Sequence, residues 1–120
     1  MKLTKLTPML QVDDLQKTID FYTDVLRFTC DAHEKGWGWA SLSLDGIEIM
    51  IALPNQHLPY HESLLTGSIY LRTENVDLWW DQLQNKTEIV YPVEDFEYGM
   101  REFAIRDCNG YILQFGQPIR

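Results

Sequence analysis

Cysteine is scarce: Cys30 and Cys108 are the only two, far apart and without repeated spacing. That excludes a disulfide framework and argues against a thiolate zinc site, and two ordinary thiols suit a reducing cytoplasm. Positive charge is also in short supply, with ten Lys and Arg against eighteen Asp and Glu and a formal net charge of −8. The basic residues are scattered, so neither nucleic acid nor an anionic membrane surface is a suitable partner. A field of this sign either steers neutral or cationic ligands or serves only solubility. No apolar run approaches the length needed to cross a bilayer, and Met1–Leu10 carries two Lys but no apolar core of an export signal. Histidine is limited to His33, His57 and His61. Pro59 lies between the last two and spoils a helical i, i+4 metal pair, and all three read as surface histidines.

What the chain does have is enough apolar material for one domain: 120 residues, 45% hydrophobic. Its four Trp, six Tyr and five Phe exceed what a small core needs and suit a pocket or an interface. Leu6–Val12 reads as a strand, followed by Asp13 and Asp14 as helix caps. Leu15, Ile19, Tyr22 and Leu26 then share one face of a helix reaching about Arg27. Alternating segments follow: one across Phe28–His33, one at Trp37–Leu44, and Ile47–Leu53 after the hairpin signal Asp45-Gly46.

The same order recurs. Ser68–Thr73 reads as a strand, Glu74-Asn75 as a cap, and Val76, Trp80 and Leu83 as one helix face. Thr7 and Ser68, Leu15 and Val76, Ile19 and Trp80, Tyr22 and Leu83 are each 61 positions apart (68 less 7, and likewise for the others). Asp45-Gly46 corresponds to Asn109-Gly110 at 64, which places three additional residues between helix and hairpin in the second half. Duplicated structure accounts for such conserved spacing, because one module alone leaves a sheet face uncovered. Module one spans about 1–53, an irregular linker 54–65, and module two 66–120, together one domain over 1–120.

Leu10-Gln11-Val12-Asp13-Asp14-Leu15, then Thr18–Tyr22 and Val25–Phe28, resemble the opening strand, cap and helix of the glyoxalase, bleomycin resistance and extradiol dioxygenase superfamily, also called vicinal oxygen chelate proteins. Tyr98–Phe103, Asp107–Tyr111 and Leu113–Gly116 resemble its terminal hairpin, with Cys108 where the family commonly has Pro. The resemblance implies an α+β fold of two tandem βαβββ modules whose curved mixed sheets form a cleft, completed in a homodimer. Metal-using members take one ligand from the first and one from the last strand of each module. Those positions here are Thr7, Met50, Ser68 and Gln114. Hydroxyls, a thioether and an amide do not make a site for zinc, nickel or iron. No metal and no cofactor are therefore expected; Glu48, near Met50, replaces one ligand at most.

Strand alternation extends the set of cleft residues. Thr7, Met9 and Gln11 share a face, as do Ser68, Tyr70 and Arg72; Glu48, Met50 and Ala52; and Ile112 and Gln114. Ile47, Ile49, Ile51, Leu113 and Phe115 take the helix-facing side. Trp37 and Trp39 align with Ser41 and Ser43 and suit either a ligand wall or a packing or dimer contact. Trp79 sits a quarter-turn off the helix stripe, in keeping with partial burial or a subunit contact. Tyr98, Met100 and Glu102 complete the candidate ligand residues, and the acidic run Glu94, Asp95, Glu97 reads as a solvated loop or a cover.

The expectation is a metal-independent protein that sequesters a small aromatic or cationic ligand, similar to bleomycin resistance proteins and their part in antibiotic resistance. The competing expectation is a glyoxalase- or dioxygenase-like enzyme with an atypical or absent metal site and Glu48 or Glu102 as general base. A regulatory or interaction module is the third.

Overall fold

A computed structural model describes residues 1–55, 62 and 64–120. His57, His61 and the central part of the expected linker lie outside the described residues. The chain divides into two compact units, Met1–Ser63 and Leu64–Arg120. The first holds β1 (Met9–Gln11), α1 (Leu15–Asp20), β2 (Thr29–Glu34), β3 (Trp39–Leu44) and β4 (Ile47–Ala52). The second holds β5 (Ile69–Arg72), α2 (Val76–Leu83), β6 (Glu88–Asp95), β7 (Met100–Arg106) and β8 (Ile112–Pro118).

Each unit is a four-stranded mixed sheet of the same topology, β1-β4-β3-β2 and β5-β8-β7-β6. In each, the first strand pairs in parallel with the last, and the remaining pairs are antiparallel. The expected α+β architecture of two tandem βαβββ modules is what the chain forms. Strand register refines the repeat. Met9 faces Met50 as Tyr70 faces Gln114, and Ser41 faces Met50 as Ala104 faces Gln114. The offset is thus 61 at the first strands (70 less 9), 63 at β3 and β7 (104 less 41), and 64 at β4 and β8 (114 less 50). Two of the three additional residues precede β7 and one lies in the hairpin.

Local chemistry explains most of the elements. The Asp14 carboxylate accepts from the Lys17 amide at 3.0 Å, satisfying a donor that the first turn of α1 would otherwise leave open. The helix continues past Asp20 as a π-helical turn, Phe21–Val25, closed by Leu26 N–H donating to the Phe21 carbonyl at 3.3 Å. Leu15, Ile19, Tyr22 and Leu26 are all buried, as their spacing requires. Asp45 and Gly46 take φ of 52° and 81°, so two left-handed residues join β3 to β4 in a tight hairpin whose hand matches the strand twist.

Other elements depart from the sequence reading. The α2 cap is not made by Glu74 or the Asn75 side chain: Gln117 Oε1, on β8, accepts from the Val76 amide at 3.0 Å, and Thr73 Oγ1 from the Asn75 amide at 3.0 Å. Asn109-Gly110 does not form a two-residue turn. The Asp107 carboxylate instead accepts from the amides of Asn109 and Tyr111, both at 2.9 Å, and holds a wider loop. Glu94 and Asp95 are not in a loop but end β6, where Asp95 meets Arg101 at 3.1 Å. Trp37 is not on a strand: it stands in a 3₁₀ turn, Lys35–Trp37, before left-handed Gly38, and is 81% exposed. Ile47 is exposed beside the hairpin rather than packed in the core.

Both cores lie between helix and sheet. In the first unit Leu10, Val12, Ala40, Leu42, Ile49 and Ile51 are buried on the helix side. In the second, Phe103 stacks on Phe115 with ring centroids 5.0 Å apart, Trp80 meets Phe103 edge-on, and Trp79 packs on Phe115. Trp79 is therefore half-buried as a core contact of α2. Arg101 also ties α2 to the sheet, bridging Asp77 and Asp95.

Candidate functional site

Because strand side chains alternate, filling one sheet face with core leaves the other free of helices, and the polar candidates gather there. In the first unit this face centres on Glu48. Lys5 Nζ lies 2.8 Å from its carboxylate, and Thr7 and Ser41 hydroxyls each donate to it at 3.0 Å. Those donors, Lys5 first, hold the Glu48 carboxyl below its ordinary pKa. A carboxylate held that way is a poor general base at neutral pH. Met9 and Met50 are register neighbours on the same face, and Trp39 stands opposite Ala52. Trp37, off the strand, is not brought to them by alternation.

In the second unit the face is built round Glu102, which is 1% exposed. Its β7 strand places it opposite Gly116 on β8, next to the Ala104–Gln114 pair. One oxygen accepts from the Tyr70 hydroxyl at 3.0 Å. The other accepts from the Tyr91 hydroxyl and from Gln114 Nε2 at 3.3 Å. Gln114 Nε2 also donates to the Tyr91 oxygen at 2.8 Å, and Ser68 donates to Gln114 Oε1. A directed chain of donors thus runs from Ser68 through Gln114 and Tyr91 to the buried carboxylate, and Tyr70 arrives from the other side. Burial, then the neighbouring Glu102, raises the Tyr98 phenol, whose ring stacks on Phe96 at 5.4 Å. Arg72 reaches only the Met100 sulfur, at 3.9 Å, and among the described residues forms no ion pair.

Burial, then the bond to Glu102, pushes the Tyr70 phenol up to about 12. Burial also raises Tyr91, with Glu102 acting in the same direction and the Gln114 donor opposing it. A phenol raised in the folded state stabilises the fold below pH about 10, its unfolded value, and that stabilisation is lost as pH rises through the folded value. The melting temperature should therefore fall between pH 10 and 12, and Tyr91→Phe should flatten that fall. An unchanged slope in the variant would show that the phenols are not coupled to folding.

Sequence reasoning brought Ser68, Tyr70, Glu102 and Gln114 to one face, but it missed Tyr91. The sequence reading places no strand over 88–95 and takes the acidic run there as a loop or a cover, so no alternation points to Tyr91. β6 is an edge strand, and its register places Tyr91 opposite Ala104.

The family's metal-using members set a test for the first-strand and last-strand positions. In the first unit Thr7 donates to Glu48 and Met50 offers a thioether; in the second Ser68 and Gln114 bond each other. Neither pair fits zinc, nickel or iron, and among the described residues no three His, Cys, Asp or Glu side chains come together. No helix among the described residues is long and apolar enough to cross a membrane.

Comparison with solved structures recovers the same fold repeatedly. TnmS3, an antibiotic binding protein from Streptomyces sp. CB03234, is 23% identical over 98% of each chain, with a TM-score of 0.78. A glyoxalase/bleomycin resistance protein/dioxygenase from Nocardioides is 17% identical over 100% of this chain and 86% of its own, at 0.79. A lactoylglutathione lyase from Agrobacterium tumefaciens is 18% identical over 95% of this chain and 92% of its own, at 0.75. No curated protein matches the sequence. At these identities the likeness establishes the fold alone, and the lineage comes from the sequence itself, since the family model for the Glyoxalase/Bleomycin resistance protein/Dioxygenase superfamily matches residues 5–115. With the repeated βαβββ topology and a match over nearly the whole chain, this protein belongs to the glyoxalase/bleomycin resistance protein/dioxygenase superfamily.

Proposed function

We propose that this chain is a metal-independent binding protein that sequesters a small aromatic or cationic molecule, residues 1–120 acting as one domain in a homodimer. The observation that carries this reading is the Glu102 carboxylate, buried beneath Tyr70 and Tyr91 on the helix-free face of the second sheet. A carboxylate costs free energy to bury and stays there only if its lone pairs are satisfied by donors. Phenols do so, and they also surround the charge with rings on which a planar ligand can lie. Tyr70 and Tyr98 are 43% and 66% exposed, so part of that aromatic surface remains open to solvent. The net charge of −8 favours a cationic or neutral guest over an anionic one. The hydroxyl, thioether and amide at the family's ligand positions support binding without a metal, and TnmS3 is a fold relative that binds an antibiotic. Cys30 and Cys108, which form no disulfide, suit a reducing, cytoplasmic setting.

Glu48 contributes to this reading as a satisfied ion pair and Glu102 as a carboxylate already met by Tyr70, Tyr91 and Gln114, so neither supports the enzymatic alternative as a free proton acceptor. The test is a titration of intrinsic tryptophan fluorescence with planar aromatic compounds, each supplied in a cationic and a neutral form. Saturable quenching, stronger with the cationic member of each pair, is the expected result. A flat response across the panel would overturn the proposal.

A further inference from the structure

Tyr70 and Gln114 face each other across β5 and β8, and Gly116 is the next residue of β8 on that face. Diagonal neighbours of this kind lie within reach of an aromatic side chain. The Tyr70 ring takes that diagonal and passes directly over Gly116 to Glu102, which stands opposite Gly116 on β7. A methyl group built on Gly116 would lie 2.0 Å from the Tyr70 Oη, 2.6 Å from Cζ and 3.0 Å from Cε1, all far inside contact distance. The three nearest heavy atoms to that methyl all belong to Tyr70, so a side chain at 116 evicts the phenol. The internal repeat offers no second copy of the device. The first-unit counterparts of Tyr70, Gly116 and Glu102 are Met9, Ala52 and Trp39, which have neither phenol nor carboxylate.

We infer that Gly116 is a positioning residue which holds Tyr70 as a removable cap on Glu102, so that the site selects ligands carrying a cationic or strong hydrogen-bond-donating group able to take the phenol's place. A neutral hydrocarbon gains nothing by displacing Tyr70, because the buried carboxylate would lose a donor and receive none. An ammonium replaces a neutral donor by a charged one and strengthens the bond it displaces. Tyr91 and Gln114 keep the second carboxylate oxygen occupied, so the exchange takes place at the first, where Tyr70 donates at 3.0 Å. The ligand half of this inference rests on the small-molecule reading above; the positioning half does not.

The experiment uses the full chain, Gly116→Ala and Tyr70→Phe, with two measurements. Ring-labelled tyrosine NMR follows each phenol through alkaline pH, the Tyr70 signal being identified by its loss in Tyr70→Phe. Calorimetry follows binding of naphthylmethylammonium and of its uncharged isostere, ethylnaphthalene. In Gly116→Ala the Tyr70 phenol should titrate close to the ordinary value of 10 instead of about 12. In Tyr70→Phe, which keeps the ring, the ammonium should bind about 2- to 10-fold more tightly, the worth of one competing hydrogen bond, and ethylnaphthalene unchanged; in Gly116→Ala the ammonium should gain the same factor relative to ethylnaphthalene. A Tyr70 titration unaltered in Gly116→Ala overturns the positioning role whatever the probes do. Weaker binding of both probes in Tyr70→Phe overturns the cap and makes Tyr70 a direct ligand contact. A shifted titration with no binding of either probe to any form upholds the positioning role and removes the small-molecule reading instead. If Gly116→Ala does not fold, Tyr70→Phe still decides the cap through the ammonium affinity.

Discussion

Phe103→Ala should destabilise the protein by about 3–5 kcal/mol, the range for deleting a buried aromatic ring from a core that cannot collapse to fill the space. Phe103 is fully buried, stacked on Phe115 at 5.0 Å and 8°, and struck edge-on by Trp80 at 5.3 Å. Its loss removes both aromatic contacts and leaves Trp80 without the ring that seats α2 on the sheet. A small domain has only about 5–15 kcal/mol in hand, so the change consumes a large part of its stability. Urea unfolding followed by tryptophan emission measures it, since Trp79 and Trp80 both belong to the affected cluster. A loss under about 1 kcal/mol would mean that the second core is not organised round this stack.

The second large effect concerns ligand rather than fold. Glu102→Gln removes the charge while nearly keeping the volume, and should weaken binding of a cationic aromatic probe about 10- to 100-fold, as expected for losing a hydrogen bond to a charged group. The uncharged isostere should be little affected. Calorimetry on the pair separates the two cases, and equal weakening of both probes would show that the amide had only distorted the face. The amide also sets an N–H₂ among the donors of Tyr70, Tyr91 and Gln114, so a modest drop in melting temperature should accompany it.

These two expectations draw on different levels of the molecule. Phe103 and Phe115 are two residues of alternating strands, and Phe115 was legible as a core position from parity alone. The partnership of Glu102 with Tyr70 and Tyr91 was not. Tyr70 is 32 positions from Glu102 and Tyr91 is 11, and both contacts depend on β8 and β6 flanking β7. Glu102 itself was visible as a candidate, but nothing local marked it as buried. The same contrast appears at the helix starts. Asp14 caps α1 within its own turn, as sequence implies, whereas α2 is capped by Gln117 from 41 positions away. Trp37 failed in the opposite direction: alternation over Trp37–Leu44 puts it on a strand, whereas it belongs to a 3₁₀ turn that ends in left-handed Gly38.

By itself the sequence determined what repeats over short distances: the duplicated βαβββ order, the apolar helix stripes, the Asp45-Gly46 turn, and the hydroxyl, thioether and amide at positions where metal-using relatives place acids and imidazoles. Period and turn chemistry are properties of neighbouring residues, so they survive without a fold. Only the tertiary structure decided which strands lie side by side, and hence that a carboxylate on β7 sinks beneath phenols from β5 and β6 with a glycine on β8 making room. Hydrogen bonds between distant strands are set by strand order and register, which no local pattern encodes.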